Sequence, residues 1–320
     1  MTSSDTRKSL VLHGVVLVLL FAVQFAASDY MTLTLTRMMV LAVFAMGFNI
    51  LYGYTGLLSL GHAVFFGAGV YGAGLTIYHL GWPVPLAFAA GIIGSAVVAA
   101  GIGALALRTV RDSFMILTMM LSQVGFLLVL YFNTVTGGDQ GLSLPQASRV
   151  FTLAGASVDL AQPVTRYNIA FVLLLVTVAL SFTLLQGPFG RVLRAIRENE
   201  ARTEMLGYDV RRAKFFAFVI SGTVAGMAGA AYAILFGYIG ATFTGIQYSI
   251  EALLFTLLGG AGTLLGPLLG TVLMTMLIDR LSEITSAYFL WLGFILIALT
   301  LWFPKGLLGA IRQRWLPWLT

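Results

Sequence analysis

Apolar residues run through this chain in long blocks, and charged residues fall mostly between them. No Asp, Glu, Lys or Arg occurs from 38 to 107, which is room for three membrane crossings at roughly 20 residues each. Pro83 and Pro85 mark a break between two of these. Further uncharged runs cover 9–28, 113–138, 167–190, 215–250, 252–278 and 284–304. One crossing per run plus the three gives nine, and the long 215–278 region, interrupted by Glu251, brings the expected number to ten. The predicted helices lie near 10–28, 31–52, 57–79, 84–107, 112–133, 165–186, 215–236, 248–262, 264–283 and 286–303. The eighth is short enough to be re-entrant. The runs are continuously apolar rather than alternating, which argues against a β-barrel. The expected fold is an all-α polytopic transmembrane bundle, a single domain over residues 1–320.

Composition strengthens this picture. The chain is 59% hydrophobic and 9% charged, with no cysteine. Soluble domains carry about a quarter charged residues, so a soluble enzyme or cytosolic binding module is excluded. The absence of cysteine removes disulfides, thiolate metal sites and Cys nucleophiles together. The net charge of +6 is not gathered on one polar face, as nucleic-acid binding requires; it reports orientation. With the N-terminus inside, Arg7, Lys8, Arg108, Arg111, the seven basic residues from Arg191 to Lys214, Lys305, Arg312 and Arg314 are all cytoplasmic, as the positive-inside rule demands. Arg37, Arg149, Arg166 and Arg280 are left for the outer side, with the stem of Arg37 snorkelling to the interface. Both termini are therefore expected in the cytoplasm. The basic start and the small residues at Ala26–Ala27–Ser28 resemble a secretory signal. The apolar run is longer than a signal core, and its loss would break the downstream charge pattern, so the helix is expected to be retained.

Two segments are polar enough to leave the membrane: an outer loop at 134–164 and an inner one at 187–214. Neither is long enough to fold alone, since cores below about 40 residues need staples absent here. No P-loop is present; Lys8, Lys214 and Lys305 are the only lysines and none follows a glycine. Uphill transport with ATP therefore needs another polypeptide. Ion coupling uses intramembrane carboxylates, and well inside the apolar runs there is only Glu251. His13, His62 and His79 are scattered, and neither a catalytic constellation nor a metal-ligand set is expected.

The inner loop places Arg191, Arg194 and Arg197 at a spacing of three, followed by Glu198, Glu200, Arg202 and Glu204, with Gly207 where a C-terminal cap belongs. This predicts a short amphipathic helix of mixed sign. One reading is a solvated loop facing headgroups; the other is a surface that docks into a protein groove. Glycine-rich stretches at 53–75 and 257–273 permit close helix approach or a broken helix. Gly61, Gly67, Gly226, Gly262, Gly266 and Gly270 are the candidate packing glycines, the last three on one helix face.

At this point the chain resembles the permease subunits of branched-chain amino acid ABC importers, and more narrowly the longer of the two permease types. The resemblance is carried by FNILYGYTGLLSLGHAVFFGAG (48–69), TGGDQGL (136–142), the stretch from FGRVLRAIRENEARTEMLGYDVRRAKF to GAAYA (189–233), GGAGTLLGPLLG (259–270) and FPKGLLG (303–309). Leu58, Val70 and Thr203 depart from the family's usual glutamine, alanine and alanine. The resemblance implies a multi-pass subunit of a bacterial-type inner membrane that pairs with a second homologous permease. Two ATPase subunits would bind the ATP, so no cofactor is expected in this chain, and an extracytoplasmic binding protein would deliver substrate. It also implies that Arg191, Arg194, Arg197, Glu198, Glu200, Ala201 and Gly207 belong to the segment that couples to the ATPases. An aliphatic zwitterion needs an apolar route with a few hydrogen-bonding groups; Asn49, Ser59, His62, Thr118, Gln123 and Glu251 are candidates, each also readable as a helix–helix hydrogen bond. Alternatives are a same-family permease for urea, amides or aromatic acids, and a stand-alone ion-coupled transporter using Glu251.

Overall fold

The computed structural model describes residues 3–109, 111–153, 156–302 and 306–314. Of the basic residues counted above, the side chains of Arg7, Lys8, Arg111, Lys305, Arg312 and Arg314 lie outside what is described. A helix stands at each of the ten expected places: α1 (Ser3–Val23), α2 (Asp29–Thr55), α3 (His62–Leu80), α4 (Val84–Ala106), α5 (Arg111–Tyr131), α7 (Pro163–Gln186), α10 (Val210–Phe236), α11 (Ile246–Gly259), α12 (Gly266–Ile284) and α13 (Tyr288–Trp302). Four short helices lie between or after them: α6 (Asn133–Thr136), α8 (Pro188–Glu198), α9 (Glu200–Met205) and α14 (Gly306–Arg314).

Six of these, α2, α3, α4, α5, α7 and α10, are long and apolar enough to cross a membrane. The chain is a multi-pass, all-helical membrane protein. The other expected spans fall short for separate reasons. α11 has 14 residues and α13 has 15, against the roughly 20 a straight crossing needs. α12 carries Asp279, Arg280 and Glu283 in its last turns. The described apolar part of α1 is confined to Val11–Val23.

The core is built on α10, which packs against α2, α3 and α4, with α3 also packed on α4. In α2, 72% of the apolar stretch is buried, against 22% in α5, so α2 lies deep in the bundle and α5 at its edge. Small residues allow this density. Gly69 of α3 meets the Gly226 backbone of α10, and Gly229 of α10 meets the Phe66 carbonyl of α3. A side chain at any of these would overlap backbone, which cannot move aside.

Between α2 and α3 the chain leaves helical geometry at 56–61, and side-chain hydroxyls take up several of the freed amides. Gly56 ends α2 at φ 76° with its amide on the Tyr52 carbonyl. The amides of Leu57, Leu60 and Gly61 donate to the hydroxyls of Thr55 (3.3 Å), Thr118 (3.2 Å) and Ser59 (3.2 Å). Ala63, in the first turn of α3, donates to Ser249 Oγ at 2.8 Å. A break between two apolar helices persists where side chains replace the missing ladder.

The two polar segments sit at opposite ends of the bundle. At one end, β1 (Leu142–Ser143) pairs antiparallel with β4 (Tyr238–Ile239), and β2 (Val150–Leu153) with β3 (Ala156–Asp159). Arg149 is buried there and donates to the Ile234 (3.1 Å), Leu235 (2.5 Å) and Leu160 (3.4 Å) carbonyls. It thereby caps the C-terminus of α10, where a cation also suits the helix dipole. Burial holds its guanidinium below the usual arginine range.

Candidate functional site

The 187–209 arm is two helices where the spacing predicted one. Asn199 adopts an extended conformation (φ −159°) and its side chain accepts from the Arg202 amide at 2.9 Å. Asparagine competes with helix continuation by capping a new one, and here that preference splits the arm into α8 and α9. Asp209 repeats the device for α10, accepting from the Arg212 amide at 2.9 Å. Gly207, at φ 89°, makes the turn between.

The expected coupling residues divide into two groups. Arg194 and Arg197 turn back toward the bundle: Arg194 Nη2 donates to the Leu185 carbonyl at 3.3 Å, and Arg197 Nη1 donates to the Gly53 carbonyl. Glu200 pairs with Lys214 at 2.5 Å, tying α9 to the start of α10. Arg191, Ala201 and Gly207 face outward, and Glu198, although exposed, lines the cleft beside Arg194 and Arg197. Leu193, Ile196 and Thr203 are buried, so the arm has one face on the bundle. Its free tip is apolar: Met205 is 81% exposed, Leu206 70% and Tyr208 51%. Spacing arguments had passed over these three, although an apolar Met-Leu pair beside a turn glycine was visible in the sequence.

A cleft of about 300 Å³ separates the arm from the bundle, lined by Gly53, Tyr54, Leu185, Arg194, Arg197 and Gly262 among others. Arg197 is its bridge. Its target, Gly53, lies in the last turn of α2, and Gly262 beside it belongs to the 260–265 turn between α11 and α12. Asn49 completes the link: its amide donates to the Thr263 carbonyl at 2.9 Å and its Oδ1 accepts from the Gly262 amide at 2.9 Å. Both ends of the Asn49 side chain are thus engaged in holding the turn onto α2. Gly262 (φ 82°) lies in this turn rather than on a helix, so it does not share a helix face with Gly266 and Gly270. Those two pack within the α11–α12 pair, Gly266 on the Gly260 carbonyl and Gly270 on that of Phe255. Gly61 packs on the Thr118 carbonyl and Gly67 on Thr244.

The polar candidates for a path sort themselves in the same way. Ser59 and Thr118 cap the 56–61 break. His62 is fully buried, with Nε2 2.8 Å from Ser221 Oγ. Ser221 Oγ lies 2.5 Å from the Gly47 carbonyl and must donate its single proton there. The hydroxyl oxygen therefore accepts, and Nε2 of His62 carries the hydrogen. This chain joins α2, α3 and α10. Gln123 is exposed on α5 and Glu251 half-buried on α11, and neither makes a hydrogen bond among the described residues. The links made by Ser221 and Ser249 were missed from sequence because their partners lie 159 and 186 residues away.

Comparison with known proteins fits this arrangement. A profile described as "Branched-chain amino acid transport system / permease component" matches residues 30–303. The high-affinity branched-chain amino acid transport system permease protein LivM of Escherichia coli is 28% identical over 92% of this chain and 72% of its own length. The corresponding LivH of Escherichia coli is 27% identical over 84% of this chain and 91% of its own. The autoinducer 2 import system permease protein LsrC of Photorhabdus laumondii is 28% identical over 45% of this chain and 40% of its own. No solved structure shows significant similarity. With most of its length matched by that profile, the chain belongs to the family of branched-chain amino acid transport permeases.

Proposed function

We propose that this chain is the membrane-spanning half of an importer for branched-chain amino acids, working in a bacterial inner membrane. Ten helices, with the short α11 as one of the crossings, would thread the bilayer with both termini and the 187–209 arm in the cytoplasm. A second permease of the same family would complete the path. ATPase subunits would dock on the arm, and an extracytoplasmic binding protein would meet the opposite end. The arm carries this reading. It presents an apolar tip to solvent, as a docking surface does, and its other face is bonded to the bundle through Arg197.

The geometry gives the mechanism a route. Movement of a docked ATPase shifts α8 and α9 together through their junction at Asn199, whose amide stays on the Ala195 carbonyl of α8 while its side chain caps α9, and Glu200–Lys214 carries the shift into α10. Arg197 passes the shift to the end of α2 and to the 260–265 turn, and Asn49 locks that turn to α2. α11 and α12 then move relative to α3 across the break at 56–61, which opens one end of the path and closes the other. The relatives named above support leucine, isoleucine and valine as cargo.

Reconstitution tests this. The chain with a partner permease and ATPases, in vesicles supplied with leucine-loaded binding protein, should take up leucine only when ATP reaches the ATPase side. Uptake by the chain alone, driven by a proton or sodium gradient, would overturn the proposal and leave a self-sufficient transporter.

A further inference from the structure

Arg37 and Glu251 are charged residues set inside apolar helices. Arg37 stands two turns inside α2, and Glu251 lies in the second turn of α11. A charge at such depth is costly unless it faces a cavity or an opposite charge. The two helices run side by side in the same direction. Thr256 Oγ1 lies 3.3 Å from the Ala45 carbonyl, and further along Asn49 holds Gly262 and Thr263. Eight residues back from Ala45 and Thr256, about 12 Å at 1.5 Å per residue, brings Arg37 level with Tyr248 and one turn from Glu251.

Arg37 and Glu251 lie within electrostatic reach of each other. Neither makes an ion pair or hydrogen bond among the described residues. Aromatic rings wall the space beside them. Tyr248 stacks on Phe66 (centroids 5.5 Å) and meets Phe243 edge-on at 5.3 Å, and Phe243 meets Tyr232 at 5.0 Å. The hydroxyls of Tyr232 and Tyr248 share a hydrogen bond and lie within electrostatic reach of Arg37 and Glu251. Arg37 reaches the surface of the subunit, and so do Gln247 and Ile250 from α11. An arginine and a glutamine on a lipid-facing surface would lack partners, so this face suits a hydrated space shared with a second subunit.

We propose that Arg37, Glu251, Tyr232 and Tyr248 form a station for a zwitterionic amino acid on its way through the membrane, an inference that rests on the amino-acid importer reading. The planar guanidinium of Arg37 receives the α-carboxylate in bidentate fashion. Glu251 receives the α-ammonium, the tyrosine hydroxyls bridge the two, and the ring faces carry the aliphatic branch. A separated pair of opposite charges fits a solute that carries both signs on adjacent groups. Urea and simple amides lack those charges and would leave both residues unpaired.

The test is leucine uptake per assembled complex, with assembly read by gel filtration. Glu251→Gln keeps the shape and removes the charge; it should lower uptake at least tenfold. The exchanged pair, Arg37→Glu with Glu251→Arg, preserves mutual attraction and reverses the polarity. A station that reads the zwitterion in one orientation stays impaired in the exchanged pair, by at least tenfold. Uptake restored to the wild-type rate by the exchange would show a purely structural pair and overturn the proposal. Wild-type uptake by Glu251→Gln would do the same, and decides alone if the exchanged pair does not assemble. A wild-type complex that moves no leucine refutes the cargo assignment and the station with it, an outcome visible before any variant is made.

Discussion

The break at 56–61 and the arm at 187–209 are both departures from long helix, and they satisfy their backbone in opposite ways. In the break, the Leu60 amide depends on Thr118 of α5 and the Ala63 amide on Ser249 of α11. The caps come from elements 58 and 186 residues away, so this conformation exists only once three helices have assembled. In the arm, Asn199 and Asp209 each cap an amide three residues on. Those caps need no distant partner. The arm is a locally specified unit that touches the bundle mainly through one buried face and two arginines. Damage near the break should therefore cost the fold, and damage in the arm should cost coupling while the protein still inserts.

The largest effect belongs to the packing of α10 on α3, one turn beyond the break. Gly229→Val would drive its side chain into the Phe66 carbonyl of α3, and a backbone oxygen cannot relax as a flexible side chain can. We expect a cost above about 3 kcal/mol, the upper end for overpacking, and no monodisperse peak in gel filtration of the detergent-extracted chain. Gly207→Ala in the arm is the matched contrast. Nothing lies within 4 Å of an added Cβ there, so only the positive φ is penalised, at about 1 kcal/mol. Equal losses from the two substitutions would erase the distinction between the regions.

Arg197→Ala addresses the connection between them. The Gly53 carbonyl, in the last turn of α2, borders the cleft and is open to solvation once Arg197 is gone, so the stability loss should stay near 1 kcal/mol. Uptake should fall about tenfold, because the one side chain that spans the cleft to both Gly53 and Gly262 is gone. Thermal melting and ATP-driven uptake, measured on the same preparation, separate the two quantities. A melting shift as large as that of a core variant would make Arg197 part of the core and break the comparison.

The positions of the helices were legible because apolar runs in a membrane protein are continuous and their ends are marked by charge. α4, expected at 84–107, occupies Val84–Ala106; α7, expected at 165–186, occupies Pro163–Gln186. The site was legible only as a set of residue types. Asn49, Ser59, His62 and Thr118 stood out as polar groups in apolar runs, but their partners are fixed by tertiary packing that no periodicity encodes. The structure engages all four in helix–helix or backbone bonds. Arg37 read as a snorkelling residue because its distance from the helix end allows it, and its proximity to Glu251 depends on how α2 and α11 lie together. The division of the arm at Asn199 was open to view in the sequence, since asparagine followed by glutamate is a good helix start. The regular three-residue spacing of the arginines concealed it.

The smallest predicted effect lies at the tip of the arm. Met205, Leu206 and Tyr208 expose apolar surface with no described element to cover them. Leu206→Ser should leave the melting temperature of the isolated chain unchanged, because an exposed side chain contributes little to its folding. Docking to an ATPase would bury part of that leucine, and losing it should weaken the docked complex by about 1 kcal/mol, or roughly fivefold in affinity. Pull-down titration of the ATPase against wild-type and variant chains in detergent measures this directly. An unchanged affinity would place the docking surface elsewhere on the arm, on the exposed Arg191, Ala201 and Arg202, and the contrast between a closed break and an open arm would then rest on charge rather than on apolar surface.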